Sequence, residues 1–300
     1  MDSLQAFVEA YCIPAQLVLA MLGMGATLSL SQFIAVFKDP RGLGLGLALQ
    51  LLFVPAVAVA IVYAFDLGPG WAVGLCLVAS VPGGAFSNLL TFLARGNTPL
   101  SIAVTVSSTA LAMVTVPVIL GIIASAYLPA EFEFPIHEAI VEIGAYLVIP
   151  LIVGMMVYRW ANAIAETVAK WAIRASVALL VVITASSLGS GRITIWAYGW
   201  GPPLIILLFG VVVAVTTPHI CRLLGRYDDD TSALQIEVTV RNVGIALLLV
   251  HFFFPGDDRQ AHVLFTCLFY AGASGPIILP SVLAHRFGKP LVLLYKRRPR

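Results

Sequence analysis

The chain has 300 residues, of which 60% are hydrophobic and only 11% are charged. Soluble globular domains carry about 25% charged residues, and a water-soluble core of this length cannot bury so large an apolar fraction. The composition therefore indicates a membrane protein. A formal net charge of +2 gives no reason to expect a nucleic-acid partner.

Nine apolar stretches, separated by charged or Pro/Gly-rich joints, predict nine membrane-spanning helices. In chain order they cover residues 13-37, 42-65, 70-94, 98-126, 136-159, 170-189, 201-224, 232-254 and 261-285. Segments of this length must satisfy their own backbone hydrogen bonds inside a bilayer, so they are expected to be helical. The predicted fold class is an all-α membrane protein.

Positive charges lie mainly on one side of these spans. Apart from Arg241, the 17 Lys and Arg residues divide fourteen to two when alternate span ends are assigned to opposite sides. Only Arg192 and Arg259 fall on the side with fewer Lys and Arg residues. Because cytoplasmic loops are rich in Lys and Arg, the chain is expected to have its N-terminus outside and its C-terminus in the cytoplasm, with the acidic loop around Glu131 and Glu133 outside.

The four cysteines, Cys12, Cys76, Cys221 and Cys267, lie in separate apolar segments without the spacing of a metal or redox motif. We expect them to be small core residues. The N-terminal residues show neither a signal peptide nor an organelle transit peptide, which favours insertion as a plain integral membrane protein.

The third span contains residues that interrupt a helix. Pro82, Gly83 and Gly84 stand within an apolar run, and the polar residues Ser87 and Asn88 follow. Proline removes a backbone donor and glycine weakens helix propensity, so the helix is expected to break here.

The eighth span contains Glu237, Arg241 and Asn242 near its middle. An unpaired charge at that depth costs on the order of 3 kcal/mol or more, so both charges should be paired and should face protein or water.

Asn88 and Asn242 lie about half the chain apart, each in a polar interruption of an apolar helix. Two interrupted helices at corresponding positions in two halves are typical of secondary transporters built from inverted repeats. Exposed N-H groups at broken helix ends suit an anion, and unwound carbonyls suit a cation. The alternative is that Pro and Gly only kink these helices.

The fourth span carries a row of hydroxyls, Ser101, Thr105 and Ser108, at helical spacing. Such hydroxyls either coordinate a small hard cation or bond back to the preceding turn. Together with Asn88 and Glu237 they form a candidate Na⁺ site, since Na⁺ needs several neutral oxygens and about one carboxylate.

Three stretches resemble a known family. The stretch PGGAFSNLLTFLARGNTPLSIAVTVSSTALAMVTVP at 82-117 is similar to the signature of the bile acid:sodium symporter family, and GMGATLSLSQF at 23-33 and IEVTVRNVGIA at 236-246 extend the similarity. The resemblance implies two inverted five-helix repeats, a core domain with two crossing broken helices, and a panel domain beside it.

Nine spans imply that the family's first helix is missing here. The first repeat would then be residues 1-126, with four helices, and the second residues 127-300, with five. The resemblance assigns the core to spans within 42-126 and 201-285, and the panel to spans within 13-37 and 136-189.

The resemblance also implies two sodium sites. The first would consist of Ser87, Asn88, Ser101, Thr105 and Glu237. The second would consist of Gln50, Glu237, Val238 and Val240, with Arg241 at the position where the family usually has glutamine.

Arg241 stays charged at physiological pH and lies one helical turn from Glu237, so the two could pair if the local backbone allows. One hypothesis is that its guanidinium stands where the second sodium would sit, which would weaken, reduce or abolish sodium coupling. The alternative is that Arg241 points into the substrate cleft and binds the anion directly.

Ala85, Phe86 and Asn242 would line the substrate cleft according to the resemblance. The expected substrate is a small organic anion, either bile acid-like or another carboxylate, moved by alternating access. The expected location is the plasma membrane, in particular a bacterial inner membrane. The sequence indicates no protein partner, and a monomer is compatible with it.

Two other functions compete with transport. Asp228, Asp229 and Asp230 resemble the Mg²⁺-binding runs of membrane prenyl-transfer enzymes, but a second acidic cluster is missing, and a solvated helix start explains the run. A passive anion channel would be expected to line its pore through symmetry between subunits, whereas here the polar residues gather at one locus formed by two halves.

Overall fold

The computed structural model describes residues 7–29, 31, 40–123, 137, 140–141, 144–189, 198–226, 228–253 and 260–288. Within these ranges the chain is helical apart from short turns and one isolated bridge. The helices are α1 (Ile13–Gly25), α2 (Pro40–Ala64), α3 (Pro69–Ser80), α4 (Ala85–Ala94), α5 (Thr98–Ile123), α6 (Gly144–Trp160), α7 (Asn162–Gly189), α8 (Gly201–Leu223), α9 (Asp228–Thr239), α10 (Val243–Phe253) and α11 (Gln260–Arg286).

Three helices, α2, α8 and α11, are each long and apolar enough to cross a membrane. A fourth is counted if the two parts of α5, Thr98–Ala112 and Val114–Ile122, are taken as one bent span. Large apolar side chains such as Leu52, Trp160 and Leu223 are more than two-thirds exposed. An outer surface of this kind is stable against lipid and costly against water, so the structure supports a multi-pass α-helical membrane protein. The count of nine spans and the orientation of the termini stay predictions.

Among the described residues, three π-helical turns occur immediately before prolines. The turns Val8–Cys12, Leu49–Phe53 and Gly144–Val148 each end two residues before a proline, the last two within α2 and α6. A proline ring clashes with the carbonyl four residues earlier and offers no N-H, and a wider turn relieves that conflict. Gln50 lies in the second of these turns.

Helices α1, α6 and α7 pack together as one group. The crossing of α1 and α6 depends on Gly25 and Gly154, because a methyl group on either would collide with the backbone of the other helix. Small residues at a crossing allow two membrane helices to approach closely. The remaining helices pack around α3, α9 and α11, and both interrupted pairs, α3 with α4 and α9 with α10, belong to this second group.

One helix begins well before the predicted span that it contains. The sixth span was expected to begin at residue 170, but α7 begins at Asn162 and contains Glu166, Lys170 and Arg174 in its first half. A boundary drawn from apolarity alone excludes such a charged first half. The predicted ends of spans 13-37 and 98-126, the start of span 136-159, and the loop around Glu131 and Glu133 lie outside the described residues.

Candidate functional site at the crossing of two interrupted helices

The two interruptions meet each other. Gly83 and Arg241 form an antiparallel bridge, and the backbone N-H of Asn242 donates to the carbonyl of Pro82 over 2.8 Å. Helices α3 and α9 end at this point with their carbonyls, and α4 and α10 begin there with their N-H groups. Each helix end carries about half an elementary charge, so partial charges of both signs converge inside the protein.

The first interruption follows from its residues. Val81 is extended, as expected of the residue before a proline, and α3 therefore stops at Ser80. Gly83 is required for the crossing, because a methyl group at this position would collide with the carboxylate of Glu237. The extended chain at Gly84 then turns into α4.

Glu237 is fully buried in the last turns of α9. Its Oε2 accepts hydrogen bonds from Ser87 Oγ at 2.7 Å and from Ser101 Oγ at 2.9 Å, and its Oε1 accepts one from Thr105 Oγ1. These three hydroxyls come from α4 and α5. The carboxylate therefore joins three helices at one point.

Asn88 completes this cluster. Its Oδ1 lies 2.8 Å from Ser101 Oγ and 3.1 Å from Thr105 Oγ1, although each of these hydroxyls has a single hydrogen, which it donates to Glu237. The structure thus brings together the side chains of all five residues expected at the first sodium site. Ser108 bonds back to the Thr105 carbonyl and does not join them. One carboxylate, one amide carbonyl and three hydroxyls are hard oxygen ligands, and hydroxyls can rotate to present lone pairs to a cation.

Arg241 does not form the expected pair with Glu237. Its Nη1 donates to the Val81 carbonyl and its Nη2 to the Ala79 carbonyl, both at 3.1 Å. The reason is that α9 ends at Thr239, so the helical spacing that would place Arg241 beside Glu237 does not continue to it. The guanidinium instead caps the carboxyl end of α3, where a positive charge is favourable.

Gln50 lies next to this guanidinium. Its Nε2 donates to the same Val81 carbonyl at 3.1 Å, and its Oε1 has no hydrogen-bond partner among the described residues. Val238 is buried in the last turn of α9 and Val240 in the interruption. Of the residues expected at the second sodium site, Gln50 and Arg241 therefore share one carbonyl.

Tyr270 on α11 was not anticipated from the sequence. Its buried hydroxyl donates to the Thr239 carbonyl over 2.7 Å and so satisfies the carboxyl end of α9. A single tyrosine in an apolar span carries no signal of this role, since a buried tyrosine usually finds some partner for its hydroxyl.

A cavity of about 250 Å³ lies between the crossing and helices α1 and α7. Phe86 and Asn242, two of the three expected substrate residues, line it, and Ala85 is the first residue of α4. The other polar or charged lining residues are Gln16, Ser176, Arg241 and Ser274. None of the described residues that line the cavity is acidic.

The run Asp228 to Asp230 forms the start of α9. Asp230 accepts from Asn97 at 2.6 Å and pairs with Arg226 at 2.9 Å, and Asp229 contacts His285 at 3.2 Å. These contacts connect α9 to α11 and to the loops before α5 and after α8, and they agree with a helix start carrying acidic residues at its positive end.

Comparison with known proteins gives a consistent result. A profile described as the Sodium Bile acid symporter family matches residues 14–195. The uncharacterized sodium-dependent transporter YocS of Bacillus subtilis is 30% identical over 262 residues, covering 83% of this chain and 77% of YocS. The probable chloroplastic sodium/metabolite cotransporter BASS1 of Arabidopsis thaliana is 26% identical, over 79% of this chain and 58% of its own. Mouse sodium/bile acid cotransporter 4 is 31% identical, over 59% of this chain and 41% of its own.

Proposed function

We propose that this chain, which belongs to the sodium bile acid symporter family, carries small organic anions by alternating access. Membership of the family makes it a membrane transporter and not an enzyme. The observation that carries this proposal is the crossing, where four helix ends and the Glu237 cluster meet beside a cavity. Such a crossing offers a cation site and an anion site within one locus, as coupled transport requires.

The charges around the cavity favour an anion. The amino-terminal ends of α4 and α10 begin at its wall, and Arg241 lies in that wall. No acidic residue lines the cavity within the part of the chain that the structure describes. A carboxylate entering the cavity would meet oriented N-H groups and positive potential. A neutral or cationic substrate would gain nothing from this field.

The Glu237 cluster supports one Na⁺ site. Ser87, Asn88, Ser101 and Thr105 gather around the carboxylate without a cationic side chain bonded to it in the described part of the chain. A buried carboxylate whose direct hydrogen-bond partners are all neutral is costly. A bound Na⁺ would supply the missing countercharge.

Arg241 takes the place of a second Na⁺ in this proposal. Its guanidinium contacts the carbonyls of Ala79 and Val81 and shares the latter with Gln50. These are oxygens that a cation would otherwise use. We therefore infer a stoichiometry of one Na⁺ per cycle, with the second positive charge supplied permanently by the protein.

Alternating access would move the crossing helices against the group formed by α1, α6 and α7. The packing of the two groups supports this division, in which they would act as a core and a panel. The inverted repeats, residues 1-126 and 127-300, the external N-terminus and a location in a bacterial inner membrane belong to the same proposal.

Counterflow in proteoliposomes tests whether the chain is a carrier of organic anions. The purified full chain is reconstituted into vesicles loaded with an unlabelled organic acid, and entry of the labelled acid is followed with and without external Na⁺. A carrier accelerates labelled entry when substrate is present on the trans side, and Na⁺ should accelerate it further. Entry that is indifferent to trans substrate would identify a channel and refute the proposal.

A further inference from the structure

A second cavity, of about 550 Å³, is formed by residues after the end of α1 and by the last turns of α6. Among the residues that the structure describes, it shares no lining residue with the cavity at the crossing. We call it the α1–α6 groove. Its volume corresponds to roughly 18 waters at about 30 Å³ each, so it has room for a charged headgroup and the first part of an apolar chain.

The wall of the α1–α6 groove changes from apolar to charged along α6. Ile152 and Met156 come one to two turns before Arg159, so the change takes place over about 10 Å of helix axis. The hydroxyls of Ser29 and Ser31, which lie 3.0 Å apart, add further polar groups to the wall. A molecule with a polar head and an apolar tail matches this arrangement.

Arg159 supplies the positive charge of the groove. It is exposed, and no ion pair or hydrogen bond within the described part of the chain includes it. None of the described lining residues is acidic. A guanidinium donates several hydrogen bonds in a planar fork that matches phosphate oxygens, and nearby hydroxyls can donate to the same group.

The groove lies where the lipid-facing surface of the protein ends. On α6 the exposed side chains are apolar as far as Met156, and Arg159 and Trp160 follow. Trp160 is 73% exposed, and Trp171 on the neighbouring helix α7 is 63% exposed. Tryptophans with this exposure are enriched at the level of the lipid headgroups. A headgroup at this level could enter the groove while its acyl chains remain in the bilayer.

The surrounding charges favour an anionic lipid over a zwitterionic one. Within the described residues 155–175, Arg159, Lys170 and Arg174 face a single acidic residue, Glu166, and all four are exposed. The predicted topology places these residues on the cytoplasmic side. The cytoplasmic leaflet carries anionic lipids that attract basic segments beside membrane helices. A free phosphate would leave the apolar part of the groove unused, whereas a phospholipid would cover it.

We propose that the α1–α6 groove binds an anionic phospholipid, with the phosphate against Arg159 and an acyl chain along Ile152 and Met156. The lipid would contact both α1 and α6, which cross closely at Gly25 and Gly154. It would thereby hold the group formed by α1, α6 and α7 at one depth in the membrane. The site does not depend on which substrate the chain carries.

Native mass spectrometry of the purified, delipidated full chain tests this site. The affinity of the first bound lipid is measured for phosphatidylglycerol and for phosphatidylcholine with the same acyl chains. We expect the wild type to bind phosphatidylglycerol about fivefold more tightly, which corresponds to about 1 kcal/mol for one basic residue at an anionic surface. Inorganic phosphate should not displace the bound phosphatidylglycerol.

Arg159→Gln should bind the two lipids with nearly equal affinity. Arg41→Gln is the matched control, because Arg41 is an exposed residue in the first turn of α2 and does not line the groove. It loses the same charge and should keep the preference of the wild type.

Melting temperatures separate this role from a structural one. Arg159 also complements the negative end of α6, and loss of that effect would lower the melting temperature equally with and without lipid. We expect phosphatidylglycerol to raise the melting temperature of the wild type and of Arg41→Gln, but not that of Arg159→Gln.

Equal affinity of the wild type for the two lipids, an unchanged preference in Arg159→Gln, or the same loss in Arg41→Gln would overturn this inference. An equal rise in melting temperature in all three proteins would also overturn it. Displacement by inorganic phosphate would show that the groove holds a free anion and not a lipid. The proposed transport of organic anions would stand in each of these cases.

Discussion

Replacing Arg241 with Gln tests whether a guanidinium substitutes for a sodium ion. The substitution removes one positive charge and two charge-assisted hydrogen bonds, to Ala79 and Val81. Hydrogen bonds to charged groups contribute about 1.5 to 3 kcal/mol each, and glutamine can restore only part of one. We therefore expect a less stable protein without Na⁺, and an unsatisfied group of oxygens that a Na⁺ could fill.

The expected consequence is a second coupled Na⁺. With a tenfold Na⁺ gradient, each additional coupled Na⁺ multiplies the limiting accumulation of substrate tenfold, about 1.4 kcal/mol. Arg241→Gln should raise the Hill coefficient for Na⁺ from about one to about two.

The assay measures initial uptake into proteoliposomes against external Na⁺, for the wild type, Arg241→Gln and the control Arg241→Lys. Lysine keeps the charge, so its Hill coefficient should stay near one. Identical sodium dependence in wild type and Arg241→Gln would show that the guanidinium does not replace a cation.

Two further substitutions test the crossing. Glu237→Gln removes the only charge of the oxygen cluster, so Na⁺ stimulation of uptake and the Na⁺-dependent rise in melting temperature should both disappear; a variant still stabilised by Na⁺ would place the ion elsewhere. Gly83→Ala puts a methyl group into the Glu237 carboxylate, so transport should be lost. The free energy of unfolding should fall by about 1 to 3 kcal/mol, and the protein should unfold at a lower temperature in detergent. Normal transport by this variant would mean that the two interruptions separate easily.

The fold class followed from composition, because an apolar chain of this length has few alternatives to membrane helices. The position of the first interruption also followed from local chemistry, since Pro82 and two glycines act on their own backbone. The second interruption has no proline or glycine between Thr239 and Val243. Its backbone is held open by the bridge to Gly83, a contact that local sequence does not encode.

The direction of the Arg241 side chain could not be predicted for the same reason. Helical spacing places it beside Glu237, and only the end of α9 at Thr239 turns it toward α3. The positions of Gln16 and Ser176 could not be predicted from the sequence for a different reason. Each is an ordinary polar residue in an apolar stretch, and it is the packing of α1 against α7 that brings the two into one cavity wall.

The charges at the crossing lead to an expectation about membrane potential. Without substrate, the crossing carries the Glu237 carboxylate and the Arg241 guanidinium, whose charges sum to zero. One Na⁺ and one monovalent anion add zero, so the loaded and empty forms would cross with the same charge. Moving one elementary charge across 100 mV changes the energy by about 2.3 kcal/mol. Because neither form has a net charge at the crossing, the membrane potential would not change the energy of moving either one. Uptake should therefore be unchanged when a potassium-valinomycin potential of either sign is imposed, whereas Arg241→Gln should respond to it, since its empty form carries a net negative charge. A wild type driven by the potential would contradict the one-sodium stoichiometry.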